Sequence, residues 1–257
     1  MVNFLNKLVN DAEKRVREGY YDLDENIQHA PVSLSRQIKN ASDNAIVAEI
    51  KPISPALGPL KPNVDAVDAA LKLQQGGAIA LSILTEPDNF GGSMTSLLRV
   101  RQRTRLPILM KDVIIDKKQI TTARECGADC VLLIQSIFSE IKLPSTLDQL
   151  MIAAHELQLE VLLEIHNEHE FQQALSSSAE IIGVNNRNLR TLEIDLQTTT
   201  RILTNSKSTR KTIISESGLE TADDIRRIKG CVDGFLIGSS IMLSENPESK
   251  VREFVLA

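Results

Sequence analysis

The chain has 257 residues, 42% hydrophobic and 25% charged, and a formal net charge of −5. These are the proportions of an ordinary globular protein, and the acidic balance argues against nonspecific nucleic-acid binding, which needs a basic face. Three cysteines, Cys126, Cys130 and Cys231, with no CxxC pair, indicate neither a disulfide framework nor a structural zinc site.

The first 44 residues precede any strand-like run. Their opening, MVNFLNKLVNDAEKRVREGY, mixes charges into a helical period and lacks a signal-peptide core. One or two extra helices are expected here, with His29-Ala-Pro31 as the breaker between them. No run anywhere approaches the roughly 18 apolar residues of a membrane span. A cytoplasmic protein without membrane contact is therefore expected.

Eight apolar runs follow: AIVAEIK (45–51), AIALSILTE (78–86), PILMKD (107–112), CVLLIQ (130–135), EVLLEIH (160–166), IIGVNNR (181–187), TIISESG (212–218) and GFLIGSS (234–240). Their starts lie 21 to 33 residues apart, about one βα unit each. Helical patterns fill the gaps, at 65–75, 119–126, 147–157 and 221–228. Ser145 or Thr146 is placed to cap the third of these, and Thr221 with Asp224 reads as a capping box. Gly76, Gly77 and Gly127 stand where helices should stop. The basic cluster at 207–211 reads as a solvated loop before a strand. Cys130, Met110 and Met151 read as core filler.

The runs are nearly continuous in Val, Ile and Leu, as in parallel strands buried on both faces. Strict β–α alternation repeated eight times favours a closed (β/α)8 TIM barrel of the α/β class, one domain over 1–257 with 1–44 as an N-terminal helical extension. A doubly wound open sheet is the alternative, and the lack of GxGxxG counts against it.

Most runs end in a charged or amide side chain, where packing alone would place none. In such a barrel the strand C-termini form the active-site mouth, with alternate residues facing inward. Glu49 and Lys51 share parity. Lys111, Glu164, Asn185, Arg187 and Glu216 end later strands and can converge with them. Ser217-Gly218 and Gly238-Ser239 follow the last two strands, a common phosphate-binding position, and Ser54 and Gly58 lie on the loop after the first. Carboxylates beside Lys51 and Lys111 should keep both lysines protonated, suited to general acid chemistry.

At these residues the chain resembles the indole-3-glycerol-phosphate synthase family. The matching segments are AEIKPISPALGPL, LTEPDNFGGS, LPILMKDVIID, GADCVLLI, LLEIHNEHE, GVNNRNL, SESGLET and IGSSIM, which run in family order from about residue 45 to 242. The resemblance implies a carboxy-lyase of tryptophan biosynthesis without cofactor. It closes the ring of 1-(2-carboxyphenylamino)-1-deoxyribulose 5-phosphate, with loss of CO2 and water. It implies Lys111 as the general acid on the ketone oxygen and Glu164 as the base or cation stabiliser. Lys51 would hold the substrate carboxylate and serve in dehydration. Glu49 and Asn185 would position these groups, and Glu216 would orient a lysine. Ser54, Gly218, Gly238 and Ser239 would take the phosphate, and Arg187 and Ser217 would bind the substrate. Phe90, Ile83 and Leu132 offer apolar cover for the aryl ring. Two positions depart from the family pattern. Val113 stands where Phe is usual, which loosens aryl packing, and Ala56 replaces a serine near the phosphate.

Rival readings have definite signatures. His166 and His169, spaced i, i+3, lack a third ligand for a metal, and Lys51 and Lys111 would repel Mg2+ from Glu49, Glu164 and Glu216. A Schiff-base aldolase on Lys111 needs a neutral lysine. A binding or scaffold barrel without turnover does not need the whole acid–base set. The expected partner is a small phosphorylated molecule. The chain is expected to act as a monomer, with a weak homodimer or a pathway-enzyme contact as alternatives.

Overall fold

The computed structural model describes residues 4–24, 26–204 and 210–257. Eight parallel strands form a closed barrel: β1 Ile46–Ile50, β2 Ala80–Leu84, β3 Ile108–Lys111, β4 Cys130–Ile134, β5 Glu160–Ile165, β6 Ile181–Asn185, β7 Thr212–Glu216 and β8 Gly234–Ile237. Each apolar run supplies one strand. Closure pairs β1 with both β2 and β8, so no strand edge is left open. The doubly wound alternative is thereby excluded. A short antiparallel pair, Ile53–Ser54 with Gly58–Pro59, folds the loop after β1 back on itself.

The strands sort their side chains by parity. Val47, Ala80, Leu109, Cys130, Leu132, Leu162, Ile181, Ile214 and Leu236 belong to the cluster that fills the barrel. Ile46, Ala48, Ile83, Met110, Val131 and Ile182 belong to the cluster between sheet and helices. Each buried Val, Leu, Ile or Met side chain among these contributes about 1.5–3 kcal/mol of transfer free energy. Ile83 is therefore not aryl cover. It faces the helices, and Leu84, one residue on, faces the mouth.

The helices begin where their caps dictate. Asp65 accepts from the Val67 and Asp68 amides, and Thr146 rather than Ser145 caps Leu147–Glu156. Thr221 and Asp224 form the reciprocal box expected for Ala222–Ile228. The second pattern starts earlier than its apolar spacing suggests, at Lys117, because Asp116 and Gln119 form another such box. Gly77 and Gly127 turn the chain into the left-handed region at φ +98° and +92° after their helices. Met110, Met151 and Cys130 are fully buried, as core filler should be. Of the basic cluster at 207–211, only Arg210 and Lys211 fall among the described residues. The Lys211 ammonium donates to the Ser177 and Ala179 carbonyls at 2.7 and 2.5 Å.

The extension covers both ends of the barrel. The helix Leu34–Lys39 lies at the base, where Ser33 and Ser35 donate to Glu160 at the start of β5 and Ile38 packs against Gly234. The helix Phe4–Arg17 lies at the mouth, where Phe4 and Leu8 reach the cleft. His29 and Pro31 lie between the two helices, as the breaker requires.

Candidate active site

Strand register sets the site. Leu84 pairs with Lys111, Ile134 with Glu164, and Asn185 with Glu216, so these residues lie together at the C-terminal ends of their strands. One cleft opens there. Its lining includes Glu49, Lys51, Ser54, Phe90, Lys111, Leu132, Glu164, Asn185, Arg187, Glu216, Ser217, Gly218, Gly238 and Ser239. Of the residues singled out from the sequence as catalytic or substrate-binding, all face this space except Ile83, which faces the helices, and Gly58, which does not line the cleft.

The floor is a chain of alternating charges. The Lys111 ammonium lies 2.5 Å from Glu216 Oε2 and 3.2 Å from Glu164 Oε2. Lys51 Nζ lies 2.7 Å from Glu49 Oε1, and Ser82 Oγ donates to Glu49 Oε2 at 3.3 Å. Burial alone would lower the Lys111 pKa, but Glu216, Glu164 and Glu49 together hold it well above the ordinary lysine range. Burial likewise favours neutral carboxyls. At Glu49 the two lysines outweigh it, and at Glu164 Lys111 and His166 do, so both stay below the usual carboxylate range. At Glu216 burial and the charge of Glu164 win over Lys111, and its pKa is pushed up to about 7. Three buried carboxylates share two lysines, and the surplus falls on Glu216.

Two inward-facing glycines make room for these charges. A Cβ on Gly183 would fall on Glu216 Oε1 and lie 2.7 Å from Leu162, and a Cβ on Gly238 would lie 2.5 Å from Glu49 Oε1. Any side chain at either position displaces a carboxylate.

The far side of the cleft is formed by the loops after β7 and β8. Ser217 and Gly218 both adopt positive φ, +67° and +79°. The strain at Ser217, of order 1–3 kcal/mol, is held by Asn186, whose amide donates to the Ser217 carbonyl at 3.0 Å. Asn186 itself accepts from Thr199 Oγ1 at 2.8 Å. Ser240 Oγ ties the next loop by donating to the Leu219 carbonyl. The Arg187 guanidinium donates to the Leu192 carbonyl, which fixes the loop after β6. Burial pushes its pKa down, against the pull of Glu49.

The apolar wall comprises Phe90, Leu132, Val113, Leu84, Phe4 and Leu8 among others. Sequence reasoning did not identify the contributions of Phe4 and Leu8. Val113 is buried in this wall, while Ala56 is exposed and does not line the cleft. Behind the wall sits a further cluster that was missed. Arg15, buried, lies 2.7 Å from Glu86 and 2.6 Å from Asp88, with Asp112 at 3.7 Å. Tyr21 and Thr85 donate to Asp112. Glu86 also caps the short helix Pro87–Phe90 that carries Phe90. The signal was present, because Arg15 continues the stripe Leu5, Leu8, Ala12 on the buried helix face.

His169 is exposed, and His166 sits against Glu164 and Glu170. Among the described residues no group of His, Cys, Asp and Glu is arranged to hold a metal ion.

Known proteins of similar fold and sequence fit this geometry. Solved structures such as thiamine phosphate pyrophosphorylase from Pyrococcus furiosus (TM-score 0.60, 16% identity, 86% of this chain and 96% of that one) share the barrel. N-acetylmannosamine-6-phosphate 2-epimerase from Clostridium perfringens does so too (TM-score 0.61, 14% identity, 83% and 93%). At such identity they show the fold alone. The indole-3-glycerol phosphate synthase of Methanocaldococcus jannaschii is 43% identical over 96% of this chain and 92% of its own length. That of Acetivibrio thermocellus is 39% identical over 88% and 85%. The family model described as indole-3-glycerol phosphate synthase matches residues 4–254, so the chain belongs to the indole-3-glycerol phosphate synthase family, carboxy-lyases of tryptophan biosynthesis.

Proposed function

We propose that the floor of the cleft divides the family's reaction among Lys111, Glu164 and Lys51. The carrying observation is the Lys111 ammonium held between Glu216 at 2.5 Å and Glu164 at 3.2 Å. A lysine so placed is a proton donor in its resting state. Lys111 delivers its proton to the ketone oxygen as the aryl carbon attacks the ketone carbon. CO2 then leaves, and the electron pair of its bond restores the ring. Lys51, paired with Glu49, first holds the substrate carboxylate and then protonates the departing hydroxyl. Glu164 takes the proton lost from the carbon beside the ring nitrogen. Glu216 and Asn185 position these groups. Ser54, Ser217, Gly218, Gly238 and Ser239 hold the phosphate, Arg187 binds the substrate, and Phe90 and Leu132 cover the aryl ring. One copy of the chain suffices, because every group invoked is its own.

The test supplies 1-(2-carboxyphenylamino)-1-deoxyribulose 5-phosphate and follows indole fluorescence. The chain has no Trp, so the protein background is low. Lys111→Ala should lower kcat by roughly 10²–10⁴-fold, the range of general acid catalysis. Near-normal turnover by folded Lys111→Ala would remove the proposed acid. An aldolase reading needs a neutral lysine, which the three carboxylates around Lys111 oppose.

A further inference from the structure

A serine disfavours the left-handed region, because its Cβ there crowds the carbonyl oxygen. Ser217 nevertheless sits at φ +67°, and Gly218 follows at +79°. Both line the cleft, and among the described residues no acceptor takes the Ser217 or the Gly218 N–H. Successive amides left free by a turn are donors suited to an anion. A serine left to itself would relax out of this conformation, so the turn has to be held from outside.

One buried side chain holds it. Asn186, the residue after β6, is 2% exposed and does not line the cleft. Its Nδ2 donates to the Ser217 carbonyl and to Ser215 Oγ, each at 3.0 Å. Its Oδ1 accepts from the Thr199 amide at 3.2 Å and from Thr199 Oγ1 at 2.8 Å. A backbone N–H can only donate, so the Thr199 amide fixes which end of the Asn186 side chain faces Ser217. Thr199 Oγ1 and Ser215 Oγ lie 2.8 Å apart. Thr199 has given its proton to Asn186, so Ser215 is the donor there. Asn186, Ser215 and Thr199 thus close a ring of hydrogen bonds, each polarising the next. The Asn186 backbone is fixed too, its N–H donating to the Glu216 carbonyl and its own carbonyl accepting from the Asp195 amide, both at 2.9 Å.

We propose that Asn186 is a positioning residue for phosphate binding, holding the Ser217–Gly218 turn in its anion-binding conformation before the substrate arrives. The proposal rests on the reading of that turn as part of the phosphate site. Thr199, on the helix Gln197–Thr204, and Ser215, on β7, hold the Asn186 amide in place. A turn organised in advance loses no binding energy to its own ordering. Asn186 therefore sets the affinity for the phosphate and leaves the chemistry at Lys111 and Glu164 unaffected.

The test reads KM, kcat and the inhibition constant of inorganic phosphate in wild type, Asn186→Ala, Ser217→Gly and the double variant. Asn186→Ala should raise KM and the phosphate inhibition constant roughly fivefold or more, the low end of what strain at Ser217 is worth. Its kcat should stay within about twofold, the pattern of lost uniform binding. Ser217→Gly provides a background that needs no clamp, because glycine enters the left-handed region without a Cβ penalty. In that background Asn186→Ala should change both constants by less than about twofold. Should Asn186→Ala not fold, Thr199→Val keeps the shape, breaks the ring behind Asn186 and carries the same comparison with the same signs. Equal shifts in the two backgrounds overturn the proposal, since Asn186 then acts otherwise than through the strain at Ser217. A fall in kcat as large as the rise in KM, or constants that do not move, overturns it as well. Failure of the underlying reading has its own signature. Inorganic phosphate then does not compete with the substrate in the wild type, and the proposal falls with that reading.

Discussion

Replacing Gly183 by alanine should disable the enzyme through a residue that carries no functional group. The new Cβ falls on Glu216 Oε1 and lies 2.7 Å from Leu162 Cδ2. Gly183 is wedged inside the barrel, paired with Glu164 on one side and Ile214 on the other. The backbone has little room to retreat, so the Glu216 carboxylate must swing away. Its 2.5 Å contact with Lys111 is lost, and the ammonium is drawn toward Glu164. A displacement of about 1 Å in a reacting group costs on the order of 10²-fold in rate, or about 2.7 kcal/mol of transition-state stabilisation. Overpacking adds about 1–3 kcal/mol of destabilisation, a fall in Tm of roughly 2–4 °C per kcal/mol for a chain of this size. The assay is kcat/KM by indole fluorescence with Tm by circular dichroism, on Gly183→Ala, Glu216→Ala and the double variant. Glu216→Ala removes the clashing carboxylate, so the double variant should show no lower kcat/KM than Glu216→Ala alone, with only the Leu162 contact left to lower its Tm. Additive losses, or wild-type kcat/KM in Gly183→Ala, would refute the steric argument.

Two further outcomes follow from the buried charges. The His166 pKa is raised to about 9 from an unfolded value near 6.5, so its contribution to stability is fully present below about pH 6.5 and is lost as pH rises toward 9. The Tm gap between wild type and His166→Gln should narrow from pH 6 to pH 9.5, and a gap independent of pH would count against the ion pairs. Arg15→Met leaves Glu86 and Asp112 buried without their cation and should cost about 3–5 kcal/mol in urea unfolding. Lys72→Met, losing only an exposed pair with Asp68, should cost under about 1 kcal/mol, and similar losses in the two variants would falsify the distinction.

The barrel was legible because parallel strands buried on both faces leave continuous apolar runs, one for each of the eight strands. The floor of the site was legible because Lys111, Glu164 and Glu216 interrupt such runs at their C-terminal ends. The inward or outward sense of a run is harder to read, and Ile83, expected at the mouth, faces the helices. Glu49 at the mouth fixes the parity of β1, and the Glu49–Ser82 pairing carries it to β2, but that pairing is a property of the closed sheet. Phe4, Leu8 and Arg15 were out of reach for a related reason. A helix pattern reveals an apolar face, and here Arg15 within it, but not which end of a barrel the helix covers.

The sequence by itself determined the order of the elements, the caps that start the helices, the family and the residue types at the strand ends. These are local properties, written within a few positions of one another. Tertiary structure decided the roles that depend on distance. It made Gly183 indispensable to Glu216, although β6 and β7 are separate in the chain. It also placed His166 between Glu164 and Glu170 and set Arg15 behind Asp112. Charge shared among buried groups depends on separations of a few ångströms, and those are fixed only when the barrel closes.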